Sequence, residues 1–149
     1  MNSATSSHAE QMLNFKYKGT SFAVGTGTAS WSSGPILYLG LLKTAALDGT
    51  ITEASGNSYA RVALATSDWN TATTSNYATT ITLGTAKTFA TPTADWGDIT
   101  HVGVFTASSS GSLLGAGALT TTLTVTNGNA PIIPAGPTGL VIRYGYLGG

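Results

Sequence analysis

The sequence predicts a mostly-β chain, a single-domain antiparallel β-sandwich or jelly-roll-like fold with one short N-terminal helix. Three observations carry that expectation. Nineteen glycines spread through 149 residues interrupt the long helical stretches, because a glycine inside a helix costs about 1 kcal/mol relative to alanine. Threonine and valine, whose branched side chains suit a pleated surface, recur through the chain. Strand-length apolar or alternating runs are separated by clusters of Gly, Asn, Asp and Ser. No repeat of roughly 20–50 residues is visible, which argues against solenoids and propellers.

A chain of this length suits one domain and can bury a core without staples. The expected organisation is a polar arm over residues 1–7 and a sandwich domain over residues 8–149. The helix is expected from His8 to about Lys16. Ser6 or Ser7 would cap it, Glu10 would sit in its first turn, and Met12, Phe15 and Leu13 would supply its apolar face. Thr20 to Gly34 reads as a Gly/Ser/Thr-rich loop with a short extended piece at Phe22–Val24.

About seven or eight strands follow. Ile36 to Leu42 is apolar on both faces and therefore central. Tyr59 to Leu64 alternates, with Val62 and Leu64 inward and Tyr59 and Arg61 on the other face. A polar connection spans Ser67 to Thr80. Ile81 and Leu83 mark a short strand, and Lys87 to Phe89 another, ended by Pro92. Ile99 to Thr106, Leu113 to Leu119 and Thr121 to Thr126 are the next three. Asn127-Gly128 is a hairpin-type turn signal. Leu140 to Tyr146 closes the chain, with Leu140, Ile142, Tyr144 and Tyr146 sharing one face.

Charge excludes several function classes. Six basic and six acidic residues make 8% of the chain and cancel to zero, against a usual share of about 25%. No basic patch exists to track phosphates, so nucleic acid is not an expected partner. No apolar run reaches the roughly 18 residues of a membrane helix, and Met1 to Glu10 has no apolar core of a secretory signal. With no cysteine, neither disulfides nor thiolate metal sites are available.

Catalytic groups are sparse. The only histidines are His8 and His101, and no G-x-S-x-G elbow occurs. His101 lies mid-strand beside Ile99, Gly103 and Phe105, where a histidine satisfied by a neighbour is the plainer reading. Asp95 and Asp98 flank Trp96-Gly97. Paired carboxylates serve glycoside hydrolysis, but in a turn before a strand they more simply accept backbone amides. Gly25-Thr26-Gly27 and Gly115-Ala116-Gly117 read as turn and close-packing glycines rather than phosphate loops. Of the tryptophans, Trp96 is expected in the core at a strand entrance, while Trp31 and Trp69 lie in loops and are interface candidates. No catalytic, cofactor or metal site is expected.

The run from Ala94 to Phe105, Ala-Asp-Trp-Gly-Asp-Ile-Thr-His-Val-Gly-Val-Phe, resembles a stretch found in a family of small tailed-phage proteins commonly labelled tail-fibre-like. Glu53-Ala54-Ser55-Gly56-Asn57-Ser58-Tyr59-Ala60-Arg61 is similar to a second motif of that family. Leu37 to Leu42, Leu113 to Thr120 and Leu140 to Ile142 match its strands in order. The resemblance implies a non-enzymatic structural component of the virion, made in the host cytoplasm. In this setting Tyr59, Arg61, Asp95, Trp96, Gly97, Thr100 and His101 form a structural motif, with Arg61 expected to pair with Asp95 or Asp98. Met1, Asn2, Ser3, Trp31, Trp69, Tyr144 and Tyr146 are the interface candidates. The expected function is decoration of the outer capsid surface as a cement protein, with other copies and the major capsid protein as partners. The alternatives are a tail fibre or adaptor bound to tail proteins, and a module that binds host glycan. No cofactor or membrane is expected.

Overall fold

A computed structural model describes residues 10, 13–18, 22–24, 27–29, 36–46, 49–75 and 78–145 of the chain. Glu10 and Leu13 are helical, and Asn14–Lys18 form a π-helical turn. Twelve strands follow among the described residues. A hairpin of β1 (Phe22–Val24) and β2 (Gly27–Ala29) comes first. The main sheet contains β3 (Leu37–Ala45), β4 (Ile51–Glu53), β5 (Val62–Leu64), β9 (Gly97–Phe105) and β10 (Leu113–Val125), in the order β10-β9-β3-β4. β5 pairs with the same edge of β3 as β4 does, but farther toward its start. A second layer combines β6 (Thr73–Ser75), β7 (Ala78–Thr82) and β12 (Val141–Gly145), with the pair β8 (Lys87–Thr88) and β11 (Ile132–Ile133) beside them. Every pairing is antiparallel. The fold is the β-sandwich that the composition and strand spacing predict.

Burial along β3 explains its place. Leu37, Leu39 and Leu41 join Val102 and Val104 of β9 in the core, facing Ile81, Leu83, Ile133, Leu140 and Ile142 of the second layer. Leu42 points to the opposite face and is also fully buried. A strand covered on both faces needs no polar alternation. The two layers approach closely at β10, where a Cβ on Gly117 would stand 2.7 Å from the Val141 carbonyl oxygen.

Several elements differ from the sequence reading. The two strands expected over Leu113–Leu119 and Thr121–Thr126 are one, β10, with a bulge between Ala118 and Leu123 opposite Thr100 of β9. Uniform Thr and Leu carry no mark of that irregularity. Asn127-Gly128 does form a turn, with Gly128 at φ 81°, but the strand beyond it pairs with β8 instead of folding back on β10. The polar connection contains β6 and a 3-10 turn at Thr66–Asp68. Alternation puts Tyr59 on the face opposite Val62, yet it packs against the core. Asn57 and Ser58 adopt positive φ and strand geometry begins only at Val62, so the period-2 rule does not reach back to residue 59. In the helix, Leu13 is buried as expected and Tyr17 adds the largest buried side chain. Met12 lies outside the described residues.

Candidate functional site

The gap between β4 and β5 along β3 leaves Leu41 without a strand partner on that edge. Two groups fill it. Ala54 N–H donates to the Leu41 carbonyl at 2.9 Å, and Leu41 N–H donates to Tyr59 Oη at 2.9 Å. The Tyr59 hydroxyl in turn donates to Glu53 Oε1 at 2.7 Å. Arg61 closes the set: Nε and Nη2 donate to the two Glu53 oxygens at 2.8 and 2.7 Å. This is the bidentate geometry in which guanidinium matches carboxylate best. Nη1 donates to the carbonyls of Ala107 and Ser110, each at 2.7 Å, and so ties the β9–β10 loop to the β4–β5 edge.

Beneath the guanidinium lies Phe105, whose ring centroid is 3.5 Å from Arg61 Cζ. That ring covers Gly40 and Gly103, which face each other across β3 and β9. A Cβ on Gly40 would stand 2.7 Å from Phe105 Cε2 and 2.8 Å from Glu53 Oε1. The absence of a side chain there is what lets ring and carboxylate settle on the sheet. On the other side of Tyr59, Trp96 meets its ring edge-on at 5.2 Å and Phe89 stacks at 6.3 Å. Trp96 is buried, and its indole N–H donates to the Asn57 carbonyl at 3.1 Å.

Electrostatically the set is saturated. Burial, reinforced by the hydrogen bond to Glu53, pushes the Tyr59 phenol far above its ordinary value. The bond to Glu53 also raises Arg61 further, against burial, which lowers it. A depression of about 270 Å³ lies over the cluster, lined by Glu53, Ser55, Tyr59, Arg61 and the serines at 108–110. Its acid, phenol and cation are all committed to one another. The arrangement positions a loop; it offers no poised base.

The remaining motif residues are placed separately. Arg61 does not pair with Asp95 or Asp98, because Glu53 is already opposite it. Asp95 Oδ1 accepts the Asn127 N–H at 2.7 Å, and Asp98 Oδ1 accepts the Thr124 hydroxyl at 2.6 Å. Both carboxylates therefore hold β10 and its following turn. Gly97 opens β9 at φ 85°. Thr100 Oγ1 donates to the Lys43 carbonyl at 2.8 Å, which leaves that oxygen to accept from His101 Nδ1, also at 2.8 Å.

Trp69 is no interface residue in this fold. It is 3% exposed, pairs through a bridge with Leu83 and packs against Tyr17 with centroids 5.0 Å apart. A single bridge in a polar connection has no sequence period to announce it. Met1, Asn2, Ser3, Trp31 and Tyr146 lie outside the described residues, and of Tyr144 only the backbone is described, paired with Thr79. Glu53, at the centre of the cluster, has no place in the pairing that the sequence predicts for Arg61. Its signal was its place eight residues before Arg61 in the same motif.

Among the described residues no group of three metal-ligating side chains converges, and no helix is long and apolar enough to cross a membrane. None of the curated proteins matches this chain. A family model described as podophage GP4 fiber I protein gp80 matches residues 3–140. That match spans β1 through β11, the Glu53–Arg61 cluster and the Ala94–Phe105 motif, so the chain belongs to the podophage GP4 fiber I protein gp80 family, a family of structural proteins of the phage particle.

Proposed function

We propose that this chain is a non-enzymatic, fibre-type component of the phage tail that acts through protein–protein contacts. The fiber description of the family over residues 3–140 carries the reading. On that description we favour the tail over the head-decoration role expected from composition and size. The Glu53–Tyr59–Arg61 cluster supports a structural role, since its polar groups are spent on fixing the β9–β10 loop. Residues 1–7 serve in this proposal as an anchoring arm toward a neighbouring tail protein.

Decoration of the outer capsid surface is the second reading. It is favoured by the short strands and compact sandwich, which contain no long fibrous or coiled-coil segment among the described residues. Host-glycan binding has less support, because Trp69 and Trp96 are buried and offer no stacking face.

Copy number separates the two positions. Purified virions are compared by quantitative mass spectrometry against the major capsid protein. A tail component gives a few to a few dozen copies per particle. A count in the hundreds, near a simple fraction of the capsid protein, moves the chain to the head. No copies at all refutes both.

A further inference from the structure

Asn127 is the one asparagine of this chain that precedes a glycine. That dipeptide carries a chemistry of its own. The Gly128 nitrogen can attack Cγ of the Asn127 side chain and close a five-membered imide, while its proton leaves with Nδ2 as ammonia. Water then opens the ring at either carbonyl. Breaking the bond at Cγ gives aspartate. Breaking it at the main-chain carbonyl gives isoaspartate, in which the backbone runs through the former side chain. Glycine favours the attack because no Cβ obstructs its nitrogen.

The fold sets the turn against this reaction. Asn127 and Gly128 are both exposed, so burial does not shield them. Hydrogen bonds do. Residues 92–96 run alongside and tie the turn at three points. Trp96 N–H donates to the Val125 carbonyl at 3.0 Å, Asn127 N–H donates to Asp95 Oδ1 at 2.7 Å, and Gly128 N–H donates to the Pro92 carbonyl at 3.0 Å. Asn129 N–H closes the turn onto the Thr126 carbonyl at 3.2 Å. The attacking nitrogen is thus committed to an acceptor and must give up that bond before it can turn on Cγ. It must also shed its proton, and the Asp95 carboxylate beside the turn disfavours the negative charge that results.

We propose that Asn127 is a latent modification site, held as asparagine by the folded turn and converted irreversibly to aspartate or isoaspartate once the turn opens. Either product adds a negative charge to a turn already fixed on Asp95. Isoaspartate also lengthens the backbone by one atom, which the turn and the following strand β11, paired in register with β8, cannot absorb. A chain that has opened here is therefore marked covalently and refolds less well.

The full chain is incubated at mildly alkaline pH in native buffer and in denaturing urea, and peptide mass spectrometry follows the gain of one mass unit at Asn127. In urea Asn127 converts. In the folded chain conversion is slower by about tenfold or more, the least that one charge-assisted hydrogen bond contributes to keeping the turn closed. Asp95→Ala removes that bond, and a variant that keeps the wild-type circular dichroism converts about tenfold faster than the folded wild type. Asp95→Asn keeps an acceptor and stays slower than Asp95→Ala. Three results overturn the inference: a folded wild type that converts as fast as the chain in urea, a chain in urea that keeps Asn127, or a folded Asp95→Ala variant no faster than the wild type. The first two are read on the unaltered protein, so the decision stands even where the variant does not fold.

Discussion

Replacing Arg61 by methionine isolates the clamp. The side chain keeps its stem over Phe105 but loses every donor. Glu53, whose side chain is 21% exposed in the intact pair, is left facing the space vacated by an arginine side chain that was 8% exposed. Breaking a buried ion pair costs about 3–5 kcal/mol, most of it the penalty of the stranded charge. Partial access of Glu53 to water puts this case at the lower end, about 3 kcal/mol. The Ala107 and Ser110 carbonyls add little, because their loop is largely exposed and water replaces the lost donor. Against a typical stability of about 5–15 kcal/mol this is a large fraction. Urea unfolding followed by tryptophan fluorescence measures it, since Trp96 touches Tyr59. Adding Glu53→Gln to Arg61→Met should then recover stability, as the second change removes the stranded charge. A loss within about 0.5 kcal/mol for Arg61→Met, or a double variant whose loss equals the sum of the singles, would refute the clamp.

Three further outcomes follow from the same cluster and its neighbours. Tyr59→Phe leaves the Leu41 N–H unpaired between β4 and β5 and should cost about 1–3 kcal/mol in the same urea assay; an unchanged midpoint would mean that water fills the gap. Gly40→Ala drives a methyl into Phe105 and Glu53 and should cost about 1–3 kcal/mol by overpacking, with a neutral result showing that the ring shifts freely. At high pH, burial holds Tyr17 up to about 12 and Tyr59 higher still, against about 10 in the unfolded chain. Raised folded values mean that the native state keeps protons the unfolded state loses. The stability these phenols contribute is therefore intact below about pH 10 and falls as pH climbs through the folded values. Phenolate absorbance at 295 nm should rise for these two residues only with unfolding seen by circular dichroism; ionisation well before unfolding would refute their burial.

The strong periodic elements were legible in the sequence because burial wrote them there. β3 and β9 are apolar where two layers cover them, and Leu140 and Ile142 alternate because β12 presents one face to the core. Trp96 was legible as a core residue from its place at a strand entrance. What sequence could not carry were events that depend on a partner far along the chain. From sequence Arg61 is expected to pair with Asp95 or Asp98, and only the folding of β4 beside β3 gives it Glu53 instead. Tyr59 left its expected face because two residues before it take positive φ. Trp69 sat in a polar stretch that promised exposure, and it is buried by a single bridge and by Tyr17, some fifty residues earlier in the chain.

The chain is charge-poor in composition, and most of its charges are tied to partners within the fold. Arg61 with Glu53 and Lys87 with Asp68 close two internal ion pairs. Asp95 and Asp98 are spent on β10 and its turn. Lys16 and Lys18 reach carbonyls of Leu114 and Trp69. The exposed charges among the described residues, Lys16, Lys43, Asp95, Asp98 and Arg143, are too few and too evenly balanced in sign to build a field that steers or holds a partner. A surface of this kind holds its neighbours by shape, hydroxyl hydrogen bonds and apolar contact, terms that salt screening does not touch. Attachment to the particle should therefore survive a wash from about 0.1 to 1 M salt, where screening length falls from about 10 to 3 Å. Sedimented virions probed for the protein before and after the wash provide the measurement. Release by salt alone would mean that the holding surface is ionic, and that the few exposed charges matter more than shape and apolar contact.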